Sequence, residues 1–122
     1  MGFTLVRKTD GVSVLSEGVL AVRYWTRLRG LIGRKSLKAG EGMLFPKCNS
    51  VHMWMMSIPI DVVFLKTLVP SKEWKVLEVR PNLKPWRLLP VGCFGADDTL
   101  EIPSGSAERL GLKIGEVLCT AS

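Results

Sequence analysis

The 13 residues from Met53 to Leu65, MWMMSIPIDVVFL, are mostly apolar and raise the question of a membrane span. A spanning helix needs about 20 apolar residues without a charge. This window is shorter, is interrupted by Ser57 and Pro59, and carries Asp61. It therefore predicts one or two core strands rather than an anchor, and no membrane partner. Much of the remaining chain has the same character: short apolar or alternating runs, set between Gly, Pro, Asp and Ser turn signals.

Phe3 to Lys8 and Val19 to Tyr24 read as strands, separated by turn chemistry around Asp10-Gly11 and Ser16-Glu17-Gly18, with Val12 to Leu15 joining one of the hairpins. Thr26 to Arg34 changes period: Thr26 can cap a helix, Leu28, Leu31 and Ile32 fall at helical spacing, and Gly33 can end it. Met43 to Phe45, Cys48 to Trp54 and Ile60 to Lys66 read as further strands. Trp74 to Arg80 alternates and pairs back on Ile60 to Lys66 as a hairpin. Pro81 to Pro90 holds three prolines and is expected as coil. Thr99 to Ile102 is a strand, Pro103 to Gly111 a short helix capped by Ser104 or Ser106 and stopped by Gly111, and Lys113 to Cys119 leads into the last strand. The expected fold class is mainly β: a compact β-sandwich or barrel-like domain with two short helices. With 122 residues, no internal repeat and no linker, residues 1–122 are expected to form a single domain.

Composition removes several classes. A hydrophobic fraction of 47% is too high for a disordered chain, and 12 Gly with 7 Pro but no period excludes a collagen-like one. Cys48, Cys93 and Cys119 make an odd count without a CxxC pair. That argues against a disulfide framework or a structural zinc knuckle and for a reducing cytoplasm. No export signal is read in the first twenty residues, and Val6 stands where myristoylation needs Ser or Thr.

The net charge of +6 is carried by the first third: residues 1–40 hold eight basic residues against Asp10 and Glu17, while nine basic and nine acidic residues cancel in the remainder. Arg23, Arg27, Arg29, Arg34, Lys35 and Lys38 form a cluster with Tyr24 and Trp25 as stacking candidates, a nucleic-acid reading that is kept as an alternative. Five phosphate contacts would weaken binding roughly 10²–10³-fold between about 50 and 200 mM salt. A solvated basic face explains the same residues and is favoured, because no RRM, KH, helix-turn-helix or cold-shock signature accompanies them. Neither GxGxxG, GxxxxGK[ST] nor GxSxG occurs, so no cofactor is called for.

Cys48 and His52 fall on one face of the expected strand, yet four residues of extended chain separate them by roughly 13 Å. A hydrolase-like arrangement of Cys48, His52 and Asp61 is a second alternative, and an inert Cys with a hydrogen-bonded His is the better reading. The chain has one His, so no metal site is expected. Asp61, in the apolar run Ile58 to Phe64, needs partners: backbone amides at the Pro59 turn, or an arginine such as Arg29 or Arg34. Glu101 alternates with Leu100 and Ile102 and is expected as a solvated strand charge. Trp54, Trp74 and Trp86 could frame a pocket; Trp54 is favoured as core.

Six stretches in order, Arg29 to Arg34 (RGLIGR), Gly42 to Phe45 with Cys48 to His52 (GMLF, CNSVH), Ile58 to Leu65 (IPIDVVFL), Leu83 to Arg87 (LKPWR), Leu100 to Ala107 (LEIPSGSA) and Gly111 to Glu116 (GLKIGE), resemble a prokaryotic family, domain of unknown function number 192. The resemblance spans about residues 23–118. Glu116 departs from the Asp common in that family, and Met53 to Met56 carries larger residues than usual. The resemblance implies a β-rich sandwich or barrel-like fold and implies no reaction and no catalytic residues. The leading expectation is a module binding a small molecule or a protein at a cleft of Arg29, Arg34, His52 and Asp61.

Overall fold

The computed structural model of the chain describes residues 3–21, 36–51, 53, 57–85, 87 and 89–121. Among the described residues are nine strands: β1 (Phe3–Arg7), β2 (Ser13–Leu20), β3 (Glu41–Phe45), β4 (Ser50–Val51), β5 (Ile60–Leu68), β6 (Glu73–Leu83), β7 (Val91–Gly92), β8 (Asp98–Pro103) and β9 (Val117–Thr120). One helix, α1 (Ser106–Leu110), lies between β8 and β9. Seven strands close into a barrel in the order β1-β2-β3-β8-β5-β6-β9, with β9 pairing back on β1. The β2–β3 pair is parallel and the other barrel pairs are antiparallel. Closure leaves the barrel no free edge, which removes the pairing hazard an open sheet carries. β4 and β7 form a separate two-stranded sheet.

The period-two pattern sends alternate residues inward. Leu5, Leu15, Leu44, Val63, Leu100 and Leu118 meet in the interior cluster, each at most 2% exposed. Ala107 and Leu110 of α1 join them with Leu112, so the helix closes over the barrel interior. Gly111 ends α1 in the left-handed region at φ 64°, and Leu112 N–H donates to the Ala107 carbonyl at 2.9 Å. Only a residue tolerant of positive φ ends a helix in this way without strain. Arg7 Nη1 then donates to the Leu110 carbonyl at 2.6 Å, satisfying another terminal acceptor.

β3, β8 and the first part of β5 are buried on both faces. Their outward side chains, Met43, Phe45, Val62 and Phe64, pack into a second cluster with Val51, Met53, Leu83 and Val91. A strand covered on both sides reads as a continuous apolar run, which is how MLF and VVF look in the chain.

The barrel and the hairpin of β5 with β6 agree with expectation. Several local readings are corrected. Ser16-Glu17-Gly18 is no turn but lies inside β2, where Gly18 stands opposite Phe3. A Cβ at Gly18 would meet the Phe3 ring and Leu15 Cδ1 at 2.8 Å, so the glycine serves close packing. β6 runs on through Pro81 to Leu83, part of the segment expected as coil, and Val91–Gly92 adds a short strand. Of the strand expected from Cys48 to Trp54, Ser50–Val51 pairs with β7 and Cys48 and Asn49 stay outside it, while residues 52 and 54 lie outside the described residues. The expected helix over residues 26–34 and the part of the second expected strand beyond residue 21 lie outside the described residues.

Candidate functional site on the outer face of the barrel

Glu101 is the fourth of the six residues of β8, with Met43 of β3 directly opposite on one side and Val62 of β5 on the other. Residues opposite one another in an antiparallel pair point to the same face. Since Leu100 and Ile102 point inward, Glu101 stands in the outer apolar layer between Met43 and Val62. It is 8% exposed. This corrects the expectation of a solvated charge: alternation does turn Glu101 away from the interior, but the outward face is itself covered.

Local sequence makes this arrangement. A Cβ at position 42 would lie 2.7 Å from the Glu101 carbonyl oxygen and 2.6 Å from Leu15 Cδ2, so Gly42 is what lets β3 approach β8 here. The Glu101 side chain receives no hydrogen bond or ion pair from any described residue. Among the described residues no fully enclosed side-chain oxygen or nitrogen lacks a partner. The Glu101 oxygens therefore occupy what little of the residue still reaches solvent. Burial disfavours the ionised form and pushes this carboxyl up from 4.5 to about 7.

Charged neighbours on that face are occupied elsewhere. Arg80 of β6 lies across from Val62, one strand farther out, and pairs with Glu78 at 3.2 Å. Glu41 of β3 accepts the Lys38 amide at 2.7 Å.

Asp61 faces the opposite way. Its neighbours Ile60 and Val62 belong to the outer cluster and Val63 to the interior one, so the carboxylate points inward, fully buried. Oδ1 accepts the Asn82 amide at 2.8 Å and Oδ2 the Ala107 amide at 2.9 Å. Backbone amides are thus its partners, from β6 and α1 rather than from the Pro59 turn. The Ala107 bond also explains why neither Ser104 nor Ser106 caps α1: Gly105 holds the N-cap position at φ 91° without a side-chain bond, and Asp61 supplies the acceptor from another strand. Ser104 Oγ instead donates to Asn82 Oδ1 at 2.8 Å, steadying Asn82 in its left-handed conformation at φ 52°.

Cys48 packs against the outer cluster, and its Sγ donates to the Ser50 carbonyl at 3.1 Å. It therefore sits on the other side of the barrel wall from the Asp61 carboxylate. Trp74 Nε1 donates to Asp98 Oδ2 at 2.7 Å, and Asp98 Oδ1 accepts the Lys47 amide at 3.1 Å. Trp74 packs against the interior cluster. Arg23, Arg27, Arg29, Arg34, Lys35, His52, Trp54 and Trp86 lie outside the described residues. Lys38 is described, in the turn before β3. Among the described residues no group of three or more His, Cys, Asp or Glu could hold a metal ion, and no helix is long and apolar enough to cross a membrane.

Comparison with known proteins agrees with this architecture. A UPF0127 protein from Thermococcus sibiricus is 31% identical over 117 residues, which cover 92% of this chain and 71% of that protein. A crystal structure of a protein of unknown function from Novosphingobium aromaticivorans superposes with a TM-score of 0.78 at 26% identity, covering 94% of this chain and 82% of the other. A second structure, from Sinorhizobium meliloti and described as a candidate transcription regulator, has a TM-score of 0.79 at 21% identity over 98% and 96% of the two chains; it shows the fold alone. The DUF192 model, described as an uncharacterized ACR, matches residues 6–119, and the chain belongs to that family.

Proposed function

We propose that the protein is a small-molecule-binding domain, without catalysis, whose site lies on the outer face of the barrel where β8 passes between β3 and β5. The observation that carries this reading is Glu101, a buried carboxyl to which no described residue supplies a hydrogen bond. Burial disfavours the ionised form of this carboxyl, whose oxygens keep only the residue's last strip of solvent, and a ligand bringing donors would take the place of that water. Ligand sites are mostly apolar with a few placed polar groups, and Met43, Val62 and Glu101 have that make-up. The free thiols of Cys48, Cys93 and Cys119 support a reducing, cytoplasmic setting for a single-domain protein.

Methyl-labelled methionine provides the test, because Met43 and Met53 both belong to the outer layer. A screen of a fragment library by NMR should move the Met43 signal while interior leucine methyls such as Leu100 stay in place. Fragments that shift only interior or surface signals, with Met43 silent throughout, would refute the site.

A further inference from the structure

Resting on that reading, we infer that the group received at Glu101 is an organic cation, a primary ammonium or guanidinium on a short aliphatic stem. An ionised carboxylate only accepts hydrogen bonds, so its partner must bring donors. A neutral hydroxyl or amide brings donors without charge, whereas a cation brings both, and in surroundings of low dielectric the charge-assisted bond is the stronger one. No described cation faces the carboxylate. Across β3 and β5 its neighbours are Met43 and Val62. Along the same face, Glu41 is bonded to the Lys38 amide and Arg80 to Glu78. An anionic ligand would add a second negative charge to a site that already disfavours one. The aliphatic stem follows from the apolar side chains on either side.

Protonation then becomes linked to binding. With the Glu101 carboxyl pushed up to about 7, it is roughly one-tenth ionised at pH 6 and nine-tenths ionised at pH 8. Cation affinity should therefore rise about tenfold over that interval and level off above it.

The experiment titrates the whole protein with n-butylammonium, n-butanol and butyrate, following the Met43 methyl signal at pH 6 and pH 8. The expected result is a saturable shift with n-butylammonium, about tenfold tighter at pH 8, with butyrate silent and n-butanol much weaker. Glu101→Gln should abolish the pH dependence and bring the amine down to the alcohol, with Leu100 methyl signals reporting an intact barrel. Equal binding of n-butanol and n-butylammonium, or amine binding that survives Glu101→Gln undiminished, overturns the inference and leaves the site standing. Silence of Met43 toward these probes and toward the fragment library overturns the site as well. Nα-acetyl-lysine N-methylamide separates two sources of the same chemistry. Binding equal to n-butylammonium assigns a lysine side chain of another protein, and its exclusion assigns a free amine.

Discussion

Replacing Glu101 by Gln should stabilise the protein, and only above acidic pH. The side chain keeps its shape and loses its charge. The native carboxyl titrates at about 7 against an ordinary value of 4.5, because burial penalises the ionised form. Below about pH 4.5 both the native and unfolded chains hold this proton, so the group adds no penalty. Between about 4.5 and 7 the unfolded chain has released the proton while the native one keeps it, so stability falls as pH rises. Above the native value the penalty is complete. A difference of about 2.5 pK units corresponds to about 3 kcal/mol. Asp10 and Asp97 are held below the usual carboxylate range, Asp10 chiefly by the Arg7 side chain and Asp97 chiefly by the Thr67 amide. They act with the opposite sign in acid, but they are present in both proteins and cancel in the comparison. Urea denaturation of wild type and Glu101→Gln from pH 4 to pH 8 should show a difference near zero at the acid end. It should grow by about 1.4 kcal/mol per pH unit and reach about 3 kcal/mol in favour of Gln, or about 10 °C in Tm. A difference that does not vary with pH, or a Gln variant that is less stable at pH 8, would refute the reasoning.

Further variants test the scaffold. Asp61→Ala strands the Asn82 and Ala107 amides and should cost about 3 kcal/mol in urea denaturation; a loss under about 1 kcal/mol would show that the two bonds matter little. Asp61→Asn keeps one acceptor and should fall between wild type and Ala. Gly42→Ala drives a methyl against the Glu101 carbonyl oxygen and Leu15, so it should cost about 2 kcal/mol and shift the Glu101 backbone amide by NMR. Trp74→Phe removes the 2.7 Å bond to Asp98 and should cost about 1–2 kcal/mol, with Asp98→Asn incurring part of the same loss and the double variant less than additive.

The barrel was legible because its signal is local. IDVVFL, WKVLEV and TLEI each show strand chemistry, and the Gly and Pro signals between them cut the chain near the right places. Gly18 misled because a glycine that admits a close neighbour looks, in a sequence, like a glycine that makes a turn; only its pairing with Phe3 distinguishes them. β6 ran past Pro81 because the Asn82 amide has an acceptor in Asp61, a contact 21 residues away that no local pattern carries. The need of Asp61 for hydrogen-bond donors followed from a carboxylate in an apolar run, while the identity of those donors depended on where α1 closes the barrel.

Glu101 was missed for a different reason. Alternation correctly turned it away from Leu100 and Ile102, but whether the far face is wet depends on what covers the sheet. A signal was present: MLF and VVF are apolar at both parities, which marks strands buried on two sides, and a carboxylate on a strand between two such runs is buried with them.

The titration of the Glu101 carboxyl carbon, followed by 13C NMR in the ligand-free protein with Glu101→Gln identifying the signal, reads the central claim directly. An inflection near 7 is the expected result and establishes a buried, unpartnered acid in the outer layer. An inflection at the ordinary 4.5 would place that carboxylate in water or beside a cation, and would contradict both the proposed site and the ligand class drawn from it.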